Sequence, residues 1–151
     1  MIAASVLLGI GLGGFFDGIV LHQLLQWHHL VDHAGFPTTS VENLRVNILA
    51  DGLFHAATYV LTLGGLVLLW SAARQAQRPW PWAVLVGGLL VGWGSFNLVE
   101  GIVNHHLLGI HHVRPGEHQA AYDLGFLAWG AVMSVVGWAA LRRRRPPRLP
   151  G

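Results

Sequence analysis

Four stretches of this chain are long and apolar enough to cross a lipid bilayer, and that leaves few folds open to it. Spanning the hydrocarbon core takes about 20 mostly apolar residues. Residues 2–29, 47–70, 80–108 and 120–141 all reach that length. Within lipid, a spanning segment must satisfy its own backbone polar groups, which favours helices. Composition agrees: charged residues make up 11% of the chain, against about 25% in a soluble domain. Lysine and cysteine are both absent, which removes disulfides, thiolate metal sites and cysteine nucleophiles together. The expected fold is all-α, a four-transmembrane-helix bundle in one domain over 1–145, with 146–151 as a disordered cytoplasmic tail. The first stretch lacks a positive n-region and a clear cleavage site and carries Asp17 and His22. It reads as a retained helix, not a signal peptide.

Charge sets the expected orientation. Seven of the nine basic residues are Arg74, Arg78, Arg142, Arg143, Arg144, Arg145 and Arg148. They follow the second and fourth spans, so both chain termini are expected in the cytoplasm by the positive-inside rule. Trp70, Trp80 and Trp82 suit that boundary as interfacial anchors. The opposite, extracytoplasmic side holds Arg45 and Arg114 and a run of histidines: His28, His29, His33, His111, His112 and His118. No phosphate-binding loop, nucleophile elbow or nucleic-acid motif occurs; the lipid bilayer is the expected partner, with a membrane protein or a second copy of the chain also compatible.

The chain also repeats itself. Asp17-Gly-Ile-Val-Leu-His22-Gln-Leu-Leu-Gln-Trp-His28-His29 aligns with Glu100-Gly-Ile-Val-Asn-His105-His-Leu-Leu-Gly-Ile-His111-His112. Chance matches between apolar helices occur at leucine and valine, not at three histidines and a carboxylate in register. Asp51…Phe54 and Asp123…Phe126 echo each other more faintly. The expected architecture is two parallel helical-hairpin repeats, 1–74 and 80–142, related by an axis along the membrane normal. The Phe-Asp17-Gly-Ile-Val-Leu-His22-Gln stretch, the Asp51-Gly-Leu-Phe-His55 segment and the Glu100-Gly-Ile-Val-Asn-His105 echo resemble the bacterial membrane-protein family known as domain of unknown function 2243. The resemblance spans nearly the whole chain and implies a four-span bundle; it implies no activity.

Helical periodicity places Gly11, Gly18, His22 and His29 on one stripe, and Gly94, Gly101, His105 and His112 on its counterpart. Small residues let helices approach closely in lipid, so these stripes are expected face to face, bringing His22 toward His105 and His29 toward His112. Asp51, His55, Thr58 and Thr62 share a face of the second span. Asp17 and His22, five residues apart, lie about 140° around an ideal helix. They meet at one centre only if the helix is wound irregularly there; otherwise Asp17 shares a face with His28 and Glu100 with His111, so that either two sites exist or the carboxylates orient the imidazoles from behind.

Ionisable groups inside a membrane cost several kcal/mol and call for a reason. Asp17, His22, Asp51, His55, Glu100, His105, His106 and Asp123 all fall in the outer halves of their spans. Together they suggest a transition-metal site, mononuclear or dinuclear, since imidazole with carboxylate suits copper, iron or zinc and bundle cores commonly hold such centres. The alternatives are a metal-free Asp–His network that fixes helix register, a proton relay, or a single bis-histidine haem, which ranks below a non-haem metal. The outer histidines His28, His29, His33, His111, His112 and His118 suggest a second site or a relay passing metal inward, or else interfacial residues. Three functions fit: a membrane metal-dependent oxidoreductase, a metal-binding assembly factor for a respiratory complex, or a transporter. The cytoplasmic halves lack a polar path, which counts against transport.

Overall fold

The computed structural model describes residues 1–76 and 81–143. Arg78, Pro79, Trp80, Arg144, Arg145, Arg148 and the tail expected at 146–151 lie outside the described residues. The rest is all-helical: α1 (Ile2–Phe16) runs on as a π-helical segment, Asp17–Leu24. Then come α2 (Val41–Gln75) and α3 (Trp82–Glu100), which continues as a second π-helical segment, Gly101–Leu107. α4 covers Gln119–Arg142. All four are long and apolar enough to cross a membrane.

Burial is inverted relative to a water-soluble protein. The buried hydrophobic residues are few, Ala4, Leu8, Leu21, Val113 and Met133, while Ser5, Asp17, His22, His28, Asn47, Asp51, Thr58, Asn97, Glu100, His105, His111 and Asp123 are all buried. Leucine, valine and tryptophan side chains point outward instead, among them Leu53, Val60, Trp70, Trp82, Val135 and Trp138. Lipid replaces water around such a surface, so apolar groups gain nothing by hiding and polar groups gather inside.

The helices lie in the order α2, α1, α3, α4. α1 packs on α2 and α3, and α3 on α4, with no close backbone contact between α2 and α3 or between α1 and α4. Each central helix therefore needs two close-packing faces. A methyl group at Gly9 would strike the Leu89 carbonyl, one at Gly92 the Val6 carbonyl, and one at Gly88 the Ser5 hydroxyl. These residues form the α1–α3 seam. The stripes of Gly11 and Gly18 and of Gly94 and Gly101 do not face each other as expected. Gly11 and Gly18 abut Thr62 and His55 of α2; Gly94 and Gly101 abut Ser134 and Leu127 of α4. Small residues occur on two faces of each central helix, and helical periodicity does not say which face meets which neighbour.

The spans also end differently from expectation. The first stops at Leu24, not at His29, and α2 begins at Val41, with Ser40 accepting from the Asn43 amide, instead of at Asn47. Each central helix terminates by the same device. The Leu25 and Trp27 amides donate to the Val20 and Leu21 carbonyls, and the Leu108 and Ile110 amides to those of Val103 and Asn104. The reversing residues, Gln26 and Gly109, have φ of 48° and 57°. Left-handed geometry at that position closes off a helix and turns the chain. Here it folds the next residues back over the helix end instead of letting them run outward.

Candidate metal centre

Two consequences of that backbone build the centre. The first is the π-helical winding. Bonding from residue i to i+5 brings side chains five apart to one face, which an α-helix would not do. His22 Nε2 thus lies 3.1 Å from Asp17 Oδ2, and His105 Nε2 lies 3.1 Å from Glu100 Oε1. The second is the chain reversal, which carries His28 and His111 inward. Their rings stack at 4.7 Å between centroids and 6° between planes. They stand among the helix histidines: His22 is 4.4 Å from His28, and His105 is 5.0 Å from His111, centroid to centroid.

The sequence grouping of inner and outer histidines is redrawn accordingly. The structure gathers His22, His28, His105 and His111 with Asp17 and Glu100, all buried. Two triads have ligand atoms within 4.8 Å of one another, His22–His28–His111 and Glu100–His105–His111. His22 and His105 do not meet directly, as the facing stripes suggested; the reversed loop residues occupy the space between. His29 and His112 do not meet either, because each turns to a carboxylate of its own hairpin. His55 and His106 are left out: their Nδ1 atoms donate to the Asp51 and Gly101 carbonyls at 2.7 and 2.8 Å, His55 against Gly18, His106 on an exposed face. His33 pairs with Asp32 at 2.7 Å, its ring 5.4 Å from that of His112, and exposed His118 precedes α4.

Nδ1 of each cluster histidine faces an acceptor. His28 Nδ1 donates to the Val113 carbonyl at 2.8 Å and His111 Nδ1 to the Leu30 carbonyl at 3.0 Å, each crossing to the opposite half. His22 Nδ1 donates to Asp51 Oδ1 at 2.9 Å. His105 Nδ1 faces Asp123 Oδ1 at 3.6 Å, too long for a hydrogen bond. Asp51 also accepts from His29 Nδ1 and the Leu30 amide, and Asp123 from His112 Nδ1 and the Val113 amide. Those carboxylates therefore hold rings in place from behind. Burial, then the neighbouring charges of His22 and His111, push the His28 pKa down to about 2, so its imidazole is neutral with a free lone pair on Nε2.

The inward-facing atoms are left short of partners. His22 Nε2, His28 Nε2, His105 Nε2, Asp17 Oδ1 and Glu100 Oε2 are buried without a hydrogen bond. A carbonyl only accepts, so His111 Nδ1 must carry its proton. Its Nε2 nonetheless lies 2.7 Å from Glu100 Oε1. Two electron-rich atoms that close need a cation between them, either a second proton or a metal ion. Sequence reasoning set His28 and His111 in the outer group, although their eleven-residue spacing puts them on one helix face with Asp17 and Glu100; the reversals at Gln26 and Gly109 carry them into this cluster.

Four apolar spanning helices around a buried histidine–carboxylate cluster define an integral membrane protein with a candidate metal centre. The chain belongs to the family described as predicted membrane protein (DUF2243), whose model matches residues 4–144. No curated protein and no solved structure is detectably similar to it.

Proposed function

We propose that this chain is a membrane metalloprotein that holds two transition-metal ions in the outer half of the bacterial cytoplasmic membrane, with both termini cytoplasmic, as a duplicated helical hairpin. His22, His28 and Asp17 hold one ion; His105, Glu100 and His111 hold the other, with the His111 ring stacked on that of His28. The observation that carries the reading is the convergence of four Nε2 atoms and two carboxylates in a buried space, with the ring Nδ1 atoms turned toward carbonyls and carboxylates. Such backing fixes tautomer and ring orientation in metal sites. Without a cation, the unpartnered atoms would cost several kcal/mol inside a membrane.

Histidine with carboxylate suits iron, copper or zinc, and the lack of cysteine disfavours handover of copper(I). Three protein ligands per ion leave coordination positions open, which suits redox turnover of a small molecule such as dioxygen. An assembly factor that stores metal for a respiratory complex is the alternative. Interleaved, edge-to-face imidazoles favour ions over the flat slot a haem requires. The test is elemental analysis and a visible spectrum on one purified sample. About two equivalents of one metal and no porphyrin band are expected; folded, metal-free protein from metal-replete cells would leave a proton-linked network instead.

A further inference from the structure

A cleft of about 360 Å³ opens where α2 and α3 stand apart, lined by Ile10, Phe54, Phe96, Val99, Glu100 and Asn104 among others. All its named walls belong to helices long and apolar enough to span a membrane, and Val99 is 63% exposed, so the cleft opens on an apolar, lipid-facing side of the bundle. Its size is that of a small-molecule site. Glu100 belongs to both cleft and metal cluster: Oε1 sits against His105 and His111, and Oε2 is buried with no partner.

The residues lining this cleft differ from their counterparts in the other half. At the offset relating His22 to His105, Ile10 corresponds to Trp93, Val99 to Phe16, and Asn104 to Leu21. Trp93 and Phe16 pack ring on ring at 5.4 Å, two bulky rings at the positions equivalent to Ile10 and Val99. Where the second half has small aliphatic residues and a polar asparagine, the first has two aromatic plugs and an apolar leucine.

We propose that this cleft binds a lipid-dissolved molecule with a hydroxylated aromatic head, the phenol and hydroquinone class, and delivers it to Glu100. The walls argue for the ring: Phe54 and Phe96, 6.1 Å apart at 41°, present the faces and edges that aromatic groups pack against. The floor argues for the hydroxyl, since Glu100 Oε2 lacks a donor, while the Asn104 amide donates to Oε1 of the same carboxylate at 3.5 Å. A molecule with only a carbonyl head would set acceptor against acceptor. The assignment names the substrate class of the centre proposed above and rests on that reading for its purpose, though the binding itself does not require metal.

The test uses the full chain in lipid nanodiscs and a decyl-tailed benzoquinol bearing a photoreactive azide. Labelling should saturate, map to residues 95–104 and Phe54, and be competed by unlabelled quinol but not by decanol. Ile10→Trp with Val99→Phe installs the plug that Trp93 and Phe16 provide opposite, and should weaken competition about tenfold or more with metal content unchanged. Asn104→Leu, a milder change copied from Leu21, should weaken it in the same direction and guards against misfolding of the plugged variant. Labelling spread over all lipid-facing helices, indifferent to the plug, or competed equally by decanol would overturn the proposal. Metal content of the same samples separates the two readings: metal without labelling sinks the cleft alone, and labelling without metal sinks the centre alone.

Discussion

The two halves of the molecule carry nearly the same motif and do different things with it. In the second half Glu100 is one methylene longer than Asp17 and reaches two imidazoles, His105 at 3.1 Å and His111 at 2.7 Å. In the first half Asp17 meets only His22, leaving its other oxygen and His28 Nε2 without partners. Conversely Asp51 grips His22 at 2.9 Å, while Asp123 stands 3.6 Å from His105. One half is tight at the carboxylate inside the cluster, the other at the carboxylate behind it. Paired scaffolds with unequal details would make the two ion positions of the proposed centre inequivalent, which is what a site must have if one ion is to be structural and the other reactive.

The sharpest way to break this comparison is to remove His111, which lies in both candidate triads and whose ring stacks on His28. His111→Ala should lose most of both metal equivalents, whereas His28→Ala should lose about one; elemental analysis of the two purified variants decides it. Equal losses would mean that the halves are independent sites. His22→Ala and His105→Ala should each remove a comparable share, because each supplies one Nε2 to its own ion. If only one of them mattered, a shared two-ion centre would be wrong.

A smaller effect is expected from the carboxylates behind the rings. Losing such a partner typically costs about 10- to 100-fold in metal affinity. Asp51→Asn should fall toward the upper end of that range and Asp123→Asn toward the lower, since only Asp51 is within hydrogen-bond reach of its cluster histidine. Competition with a chelator of known affinity measures both. The reverse order would show that His105 draws up to Asp123 when metal binds.

How much of this was readable beforehand follows from what each feature depends on. Span number follows from apolar length, which is a property of sequence alone, and four such helices are found among the described residues. The carboxylates and histidines in register were equally visible, as was the angular conflict between Asp17 and His22, whose resolution is the π-helical winding. What periodicity could not supply was the choice of partner for each glycine face, because Gly9 and Gly11 look alike until a neighbour is specified. Nor could it supply the fate of His28 and His111. Extending an ideal helix through Leu25 sends them outward, and only a left-handed residue brings them back.

That left-handed residue offers the finest test of the two halves. The second half reverses at Gly109, which adopts φ of 57° without a Cβ penalty; the first reverses at Gln26, φ 48°, with a side chain that disfavours it. A non-glycine residue held there costs roughly 1–2 kcal/mol. The cost is borne because the reversal carries His28 to the Val113 carbonyl and the Leu30 amide to Asp51. Gln26→Gly should therefore raise stability by about 1 kcal/mol, and Gly109→Ala should lower it by a similar amount, read as opposite shifts in thermal unfolding of the metal-stripped protein in mild detergent. The metal-loaded protein should show the same signs with smaller spread, because bound ions would hold the reversed segments in place whatever the residue at the turn. Shifts of the same sign for both substitutions would mean that the two reversals, alike in hydrogen bonding, are not equivalent in energy.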